Sequence, residues 1–222
     1  MCVDMGREVN LLRSIPRTKR NVKARESTKS PDVIAESKRF GELYFDGPRD
    51  YGYGGYKYDG RWKPVATDII QHFGLASGAR VLDVGCAKGF LVHELVMQGI
   101  DAYGLDISTY AVRNCHPDVV GRIHVGNAIE LPFADDTFDC VIAIDVVHNL
   151  KRDLAGVALR EIQRLSGGRA FVRVDSYRTP EQKAIFESWV LTAEFHDYPE
   201  GWIRLFDDSA YTGDFCWVII EE

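Results

Sequence analysis

The sequence has few cysteines, and their positions exclude the scaffolds that cysteines usually build. Its 222 residues contain five cysteines, with no Cys-x-x-Cys pair and no cluster of cysteine and histidine. An odd number at scattered positions argues against a disulfide framework and against a structural zinc site, so no metal site is assigned. These features favour a reducing compartment, and we expect a cytoplasmic protein.

Long apolar runs are also absent. No segment approaches the roughly 18 apolar residues of a membrane span, and Asp4, Arg7 and Glu8 interrupt the stretch that a signal peptide would need. We therefore expect no membrane partner and no export. Glycine (20) and proline (8) are too sparse for a collagen-like or low-complexity chain.

An overall excess of positive charge is missing as well, since 27 basic residues face 33 acidic ones. Eight of the basic and three of the acidic residues lie within 1–30, so the remaining 192 residues carry 19 basic and 30 acidic side chains. A basic arm on an acidic body can bind RNA, or it can lie on the body as a solvated tail. The second interpretation is favoured, and a nucleic-acid partner is not expected.

Three regions differ in composition. Residues 1–37 form the basic arm, which we expect to be dispensable for activity. Residues 38–63 are dense in tyrosine and glycine, which indicates an ordered lid rather than disorder. Residues 64–222 alternate between helical and strand patterns.

The alternation predicts an α/β fold with a doubly wound, mostly parallel sheet and helices on both faces. Strands are predicted at 79–84, 102–105, 122–125, 137–144, 170–174, 202–206 and 215–220. Helices are predicted at 64–72, 90–98, 108–115, 153–165 and 180–191. In such sheets ligands bind beyond the carboxyl ends of the strands, where the strand order reverses.

The end of the first strand carries an acidic residue before a glycine loop, in the segment VLDVGCAKGF at 81–90. A dinucleotide site would need three glycines for a pyrophosphate, whereas Asp83 would repel phosphates and attract a cation. Asp106 ends the second strand and can accept hydrogen bonds from ribose hydroxyls. Asn127 follows the third strand and is placed for an adenine edge. A ribose, an adenine and a cationic end are combined in S-adenosylmethionine.

Four segments resemble the class I S-adenosylmethionine-dependent methyltransferases of the small-molecule branch, similar to methyltransferase type 11. They are VLDVGCAKGF, GLDIS, VGNAIELPFADDTFDCVIAIDVVHNL and EIQRLSGG, and the resemblance covers about residues 65–220. It implies a Rossmann-like sheet of seven strands whose last strand, at 215–220, is antiparallel. Ala87 departs from the family, in which glycine is frequent at this position.

The resemblance also implies the residues that bind the cofactor. They are Asp83, Gly85, Cys86, Ala87, Gly89, Asp106, Ile107, Asn127, Ala128, Asp145 and Val146. Each acidic or amide residue has a structural alternative: Asp83 can brace its loop, Asp106 can cap a helix, and Asn127 can form a turn.

Methyl transfer to oxygen usually requires a base. His148, Asp175 and His196 are the candidate catalytic residues, because they follow predicted strand ends or lie in a nearby loop. The alternatives are a buried histidine, a turn carboxylate and surface packing. The same three residues could hold a divalent metal, although their spacing supports this only loosely.

The acceptor is predicted to be a small polar metabolite, such as a sugar or a nucleotide-linked sugar, because aromatic rings stack on the apolar faces of sugars. The candidate substrate residues are Tyr53, Tyr56, Arg61 and Tyr198. We expect the lid to be mobile without cofactor and protected with it. Three alternatives remain: an RNA methyltransferase that uses the arm, a nicotinamide-dependent oxidoreductase, and a binding protein that has lost catalysis.

Overall fold

The computed structural model describes residues 6–15 and 20–220. Asp4, which is named above, lies outside this part of the chain. So do Cys2, Arg17 and Lys19, which are counted above among the cysteines and the basic residues of the arm.

A parallel sheet forms the centre of the molecule. Its strands are β1 (Arg80–Val84), β2 (Asp101–Asp106), β3 (Ile123–Val125), β4 (Cys140–Ile144), β5 (Ala170–Asp175) and β6 (Asp214–Val218). The order across the sheet is β3-β2-β1-β4-β5-β6, and each pairing is parallel. The strand order reverses between β1 and β4, so a crevice is expected above their carboxyl ends.

The predicted seven-stranded sheet with an antiparallel last strand is wrong, because the described chain has six parallel strands. The segment predicted as a strand at 202–206 belongs to a helix that begins at Pro199. Trp202, Leu205 and Phe206 recur at helical spacing and are all buried in the core. A helical crossover returns the chain to the same end of the sheet, and the following strand, β6, is therefore parallel to β5.

Helices cover both faces of the sheet. They are α1 (Val22–Thr28), α2 (Pro31–Ser37), α3 (Glu42–Phe45), α4 (Trp62–Phe73), α5 (Phe90–Met97), α6 (Thr109–Arg113), α7 (Arg152–Ser166), α8 (Pro180–Trp189) and α9 (Pro199–Asp208). Residues of α7 and α9 share one apolar core with β4 and β5, whereas α4 and α5 pack on the opposite face. Among the described helices, none has the length and apolarity that crossing a membrane requires.

The N-terminal residues pack against the body of the protein. The backbone N–H of Val9 donates to the carbonyl of Phe215 at 2.8 Å, and the N–H of Phe215 donates to the carbonyl of Arg7 at 3.1 Å. Leu11 and Leu12 are each 4% exposed and belong to the core on the α4–α5 face. This segment therefore lies along the outer edge of β6.

Candidate active site

The loop between β1 and α5 has three residues in the left-handed region: Gly85 (φ +74°), Ala87 (φ +51°) and Gly89 (φ +72°). A Cβ at Gly85 would lie 2.1 Å from Cγ2 of Val146, so glycine is required there for space as well as for conformation. Ala87 adopts a conformation that costs a non-glycine residue about 1–2 kcal/mol. The loop brings its backbone close to the crevice above β1 and β4.

Asp106 holds this loop in place. Its carboxylate accepts hydrogen bonds from the backbone N–H groups of Ala87 and Ser108, each at 2.7 Å. Burial raises the pKa of Asp106, and the two N–H groups oppose that effect. Ser108 caps α6 by accepting from the N–H of Ala111. Asp106 is thus a brace for the loop, and its role toward a ribose stays a prediction.

Asp83 is buried next to the loop and has no polar partner. Its side chain accepts no hydrogen bond from the described residues, and it is 4% exposed. Burial raises the pKa of Asp83 well above its usual value, and the nearby Asp106 carboxylate raises it further. Since an unpartnered buried carboxylate is costly, this arrangement favours a cationic ligand group.

A cavity of about 1300 Å³ lies above the carboxyl ends of β1, β4, β5 and β6. It reaches from Asp83 and the glycine loop at β1 to Trp217 and Val218 at β6. Cys86, with its thiol buried, also lines it. The lid segment and the N-terminal arm form the outer wall, and they contribute both aromatic and charged side chains.

Asp145 and Arg173 form an ion pair in the middle of the cavity. Arg173 Nε donates to Asp145 Oδ1 at 2.8 Å, and Nη2 donates to Oδ2. Burial acts to raise the pKa of Asp145, but the guanidinium outweighs it, so the pKa is lowered. Asp145 has φ +61° and is followed by Val146, which contacts the glycine loop. The carboxylate is thus a weak base that is held by its partner.

His148 and Asp175 form a second pair, and neither residue lines the cavity. His148 Nδ1 accepts the backbone N–H of Asp175 at 3.0 Å, and His148 Nε2 lies 3.4 Å from Asp175 Oδ2. Burial raises the pKa of Asp175, and the histidine opposes this shift. Both ring nitrogens of His148 face Asp175, and the ring is 5% exposed. This geometry suits a histidine that positions the carboxylate.

His196 and Tyr198 lie apart from the cavity. The hydroxyl of Tyr177 is 3.0 Å from His196 Nδ1, and the histidine ring packs on Phe186 at a centroid distance of 4.8 Å. Tyr198 packs edge-on against Tyr177. Neither His196 nor Tyr198 lines the cavity.

Six of the predicted cofactor residues do not line the cavity: Gly89, Asp106, Val146, Ile107, Asn127 and Ala128. Ile107 is 56% exposed, and Ala128 is buried in the core on the α7–α9 face. Asn127 Oδ1 accepts the N–H of Ile129 at 3.2 Å, as in a turn. The roles of Ile107, Asn127 and Ala128 toward an adenine stay predictions.

Within the described chain, the only group of three or more candidate metal ligands within 4.8 Å of one another is His93, His116 and Asp118. His148, Asp175 and His196 do not form such a group.

The lid contributes Tyr53, Tyr56 and Arg61 to the cavity, and their role toward a substrate stays a prediction. Tyr56 stacks on Phe90 of α5 at 4.9 Å, and Arg61 pairs with Asp59 at the rim. Burial raises the pKa of both tyrosines, so they are neutral phenols at physiological pH.

Lys88 fastens the lid to the glycine loop. It is 7% exposed, and its ammonium donates to the two carboxylate oxygens of Asp46 at 2.8 and 2.6 Å. Tyr110 Oη and the N–H of Tyr56 also donate to Asp46. The three hydrogen bonds from Lys88 and Tyr110 hold the lid to the glycine loop and to α6, and the bond from Tyr56 lies within the lid.

Sequence reasoning missed Arg173 and the two arm arginines that line the cavity, Arg20 and Arg25. Arg173 gave a signal, because it is a charged residue within the apolar strand sequence AFVRVD. The arginines of the arm gave no such signal, since nothing in their spacing indicates that their side chains line the cavity.

Comparison with known proteins finds methyltransferases that are similar to this chain. A model of the methyltransferase domain matches residues 82–172. The chain is 29% identical over 173 residues to a demethylmenaquinone methyltransferase of Beutenbergia cavernae, with 68% of each chain covered. It is 34% identical over 98 residues to a ubiquinone biosynthesis O-methyltransferase of Azorhizobium caulinodans, with 39% of each covered.

The chain therefore spans about two thirds of the first relative and well under half of the second. A solved S-adenosylmethionine-dependent methyltransferase from Methanosarcina mazei has the same fold, with a TM-score of 0.51 at 20% identity over 63% of this chain and 82% of that one. The glycine loop after β1, the acidic residue that ends β2 and these similarities together support a methyltransferase domain over residues 82–172, similar to those of the class I S-adenosylmethionine-dependent methyltransferases.

Proposed function

We propose that this chain transfers the methyl group of S-adenosylmethionine to an oxygen, or alternatively a nitrogen, of a small polar metabolite held in the cavity. The observation that carries the proposal is the buried carboxylate of Asp83, which opens on the cavity without a partner. Enzymes of this family use S-adenosylmethionine, and its cationic end fits such a carboxylate.

The residues around Asp83 fit the rest of the cofactor. Gly85 leaves room where a Cβ would meet Val146, so a ligand can approach the backbone closely. Asp106 keeps free lone pairs on both carboxylate oxygens after accepting one hydrogen bond on each. When bound, the cofactor supplies an electrophilic methyl group.

The residues of the chain orient the acceptor, exclude water and accept its proton. The lid covers the cavity and excludes water, and the Asp145–Arg173 pair fixes charge in the middle of it. Although Asp175 does not line the cavity, burial raises its pKa, so it is a better base than Asp145, whose pKa is lowered. We assign it the proton of the acceptor hydroxyl, with His148 as its positioning residue.

Turnover with a labelled methyl donor and a panel of hydroxylated metabolites tests this proposal. Asp175→Asn should lower turnover about 10²-fold and leave cofactor affinity unchanged. Because the carboxylate must be ionised to act, activity in the unmodified chain should fall on acidification at a higher pH than for an ordinary aspartate. Asp207→Asn, an exposed change on α9, is the matched control.

His148→Gln separates the two candidate bases. If the histidine only positions Asp175, the glutamine variant should retain more activity than Asp175→Asn and keep the acid limb of the pH profile. A larger loss in His148→Gln would transfer the role of base to the histidine. Lack of any cofactor binding would end the proposal as a whole.

The relatives named for quinones suggest a second candidate acceptor, an aromatic ring with a long apolar tail. The charged side chains of this cavity favour a polar acceptor instead. The arm also argues against RNA, because Arg20 and Arg25 line the cavity and Arg13 pairs with Asp68 of α4.

A further inference from the structure

Three arginines surround one tryptophan at the β5–β6 side of the cavity. The guanidinium carbons of Arg20, Arg25 and Arg49 lie 5.3, 4.9 and 5.5 Å from the centroid of the Trp189 ring. All four side chains line the cavity. We call this group the arginine cage.

The cage has no carboxylate partner in the part of the chain that is described. Arg25 donates to the carbonyls of Asp50 and Gly52, and Arg49 donates to the carbonyl of Gly52. Arg20 makes no side-chain hydrogen bond with a described residue. Asp50, which also lines the cavity, forms no ion pair with any of the three.

Among the described residues, the absence of an ion pair distinguishes the three arginines of the cage from the other arginines around the cavity. Arg13, Arg61 and Arg173 each pair with a carboxylate at hydrogen-bond distance. Burial lowers the pKa of both Arg20 and Arg25. Asp175 and Asp145 oppose this shift at Arg20, and Asp50 opposes it at Arg25, whereas neighbouring guanidinium groups add to it. Three adjacent cations that repel one another are stabilised when an anion binds between them.

The sheet sets where the cage lies relative to the cofactor. Asp83 is on β1, Asp145 follows β4, and Arg173 is on β5, so these groups succeed one another along the carboxyl edge. Trp189 ends α8, which packs on α1 beyond β5. Because β4 lies between β1, which carries Asp83, and β5, the unpartnered carboxylate and the arginine cage lie on different sides of the cavity.

We infer that the acceptor is an anion, and that the arginine cage binds its carboxylate or phosphate group. This inference rests on the proposed function and specifies its substrate class. A polar metabolite of this kind spans the cavity with its charged group at Trp189 and its nucleophilic oxygen toward Asp175, which lies within electrostatic range of Arg20.

Calorimetry with the full chain tests the cage without requiring the true substrate. The probes are benzoate, phenyl phosphate and the neutral benzamide, each titrated with and without S-adenosylhomocysteine. One or both anions should bind at least about tenfold more tightly than benzamide. The stronger of the two identifies the cage as a carboxylate or a phosphate site.

Variants then assign the effect to the cage. Arg20→Gln and Arg49→Gln should each weaken anion binding about tenfold and leave benzamide unchanged. Arg25 is not substituted, because it braces the lid. Arg152→Gln, which removes the same charge from an exposed pair with Asp208, should have no effect.

Equal binding of benzamide and both anions, or anion binding that the two cage variants leave unchanged, would overturn the inference and leave the cage as a brace for the lid. Failure of S-adenosylhomocysteine to bind would instead count against the proposed function, and the titrations without it would still decide the question of the cage.

Discussion

Asp83 is a buried carboxyl group, and none of the described residues donates a hydrogen bond to it or pairs with its charge. In the folded chain its pKa lies above the ordinary value, so the folded state holds a proton that the unfolded state has released. Stability is therefore greater at low pH and falls as the pH rises through the raised pKa. The sequence pattern predicted the position of this residue but could not predict that it would be unpartnered.

The same burial makes cofactor binding depend on pH. Only the ionised carboxylate attracts a cation, so binding of S-adenosylhomocysteine should release a proton and tighten as the pH rises through the raised pKa of Asp83. Calorimetry in buffers of different ionisation enthalpy measures that proton. Asp83→Asn should weaken binding at least about tenfold, remove the pH dependence and raise the free energy of unfolding at neutral pH. A variant that binds as tightly as the parent chain would show that Asp83 does not contact the ligand.

At the scale of elements, the lid is fastened by an ion pair between the buried Lys88 and the more exposed Asp46. Asp46→Asn should weaken the hydrogen bonds from Lys88 and lower the free energy of unfolding by about 1–3 kcal/mol. Amide exchange across residues 44–56 should become faster, because the loss is local to the lid. Asp59→Asn is the control within the same segment. Its exposed pair with Arg61 should contribute less than about 1 kcal/mol, and equal effects of the two variants would argue against a specific fastening.

The elements differ in how far the sequence predicted them. The ends of β1, β4 and β5 were predicted to within a few residues, because apolar runs of strand length are bounded by glycine or by polar residues. The helix α9 was predicted as a strand, since its aromatic residues favour strands in a short window and its helical period shows only over ten residues. The inward course of the arm depends on contacts with β6 and α8, and such long-range contacts leave no local pattern.

At the scale of the whole molecule, the N-terminal segment contributes Leu11 and Leu12 to the core. Leu11 is buried against the α4–α5 face, so Leu11→Ala should lower the free energy of unfolding by about 2–5 kcal/mol. Leu43→Ala, a change at an exposed leucine, should cost less than about 1 kcal/mol. Urea unfolding followed by tryptophan fluorescence measures both variants. The sequence predicted that residues 1–37 are dispensable. Because Leu11 and Leu12 are buried, we instead expect a chain that begins at residue 38 to lose stability and activity, and full activity in that chain would support the original prediction.

The edge contact of β6 has a consequence for biosynthesis. Arg7 donates its N–H to Asp214 across 207 residues of sequence. At about 5–20 residues per second, roughly 10–40 s pass on the ribosome between the synthesis of these two partners. Throughout that interval Leu11 and Leu12 have no strand edge to lie beside, and the outer wall of the cavity cannot form. The nascent chain thus presents an apolar N-terminal segment to chaperones until its last strand has been made.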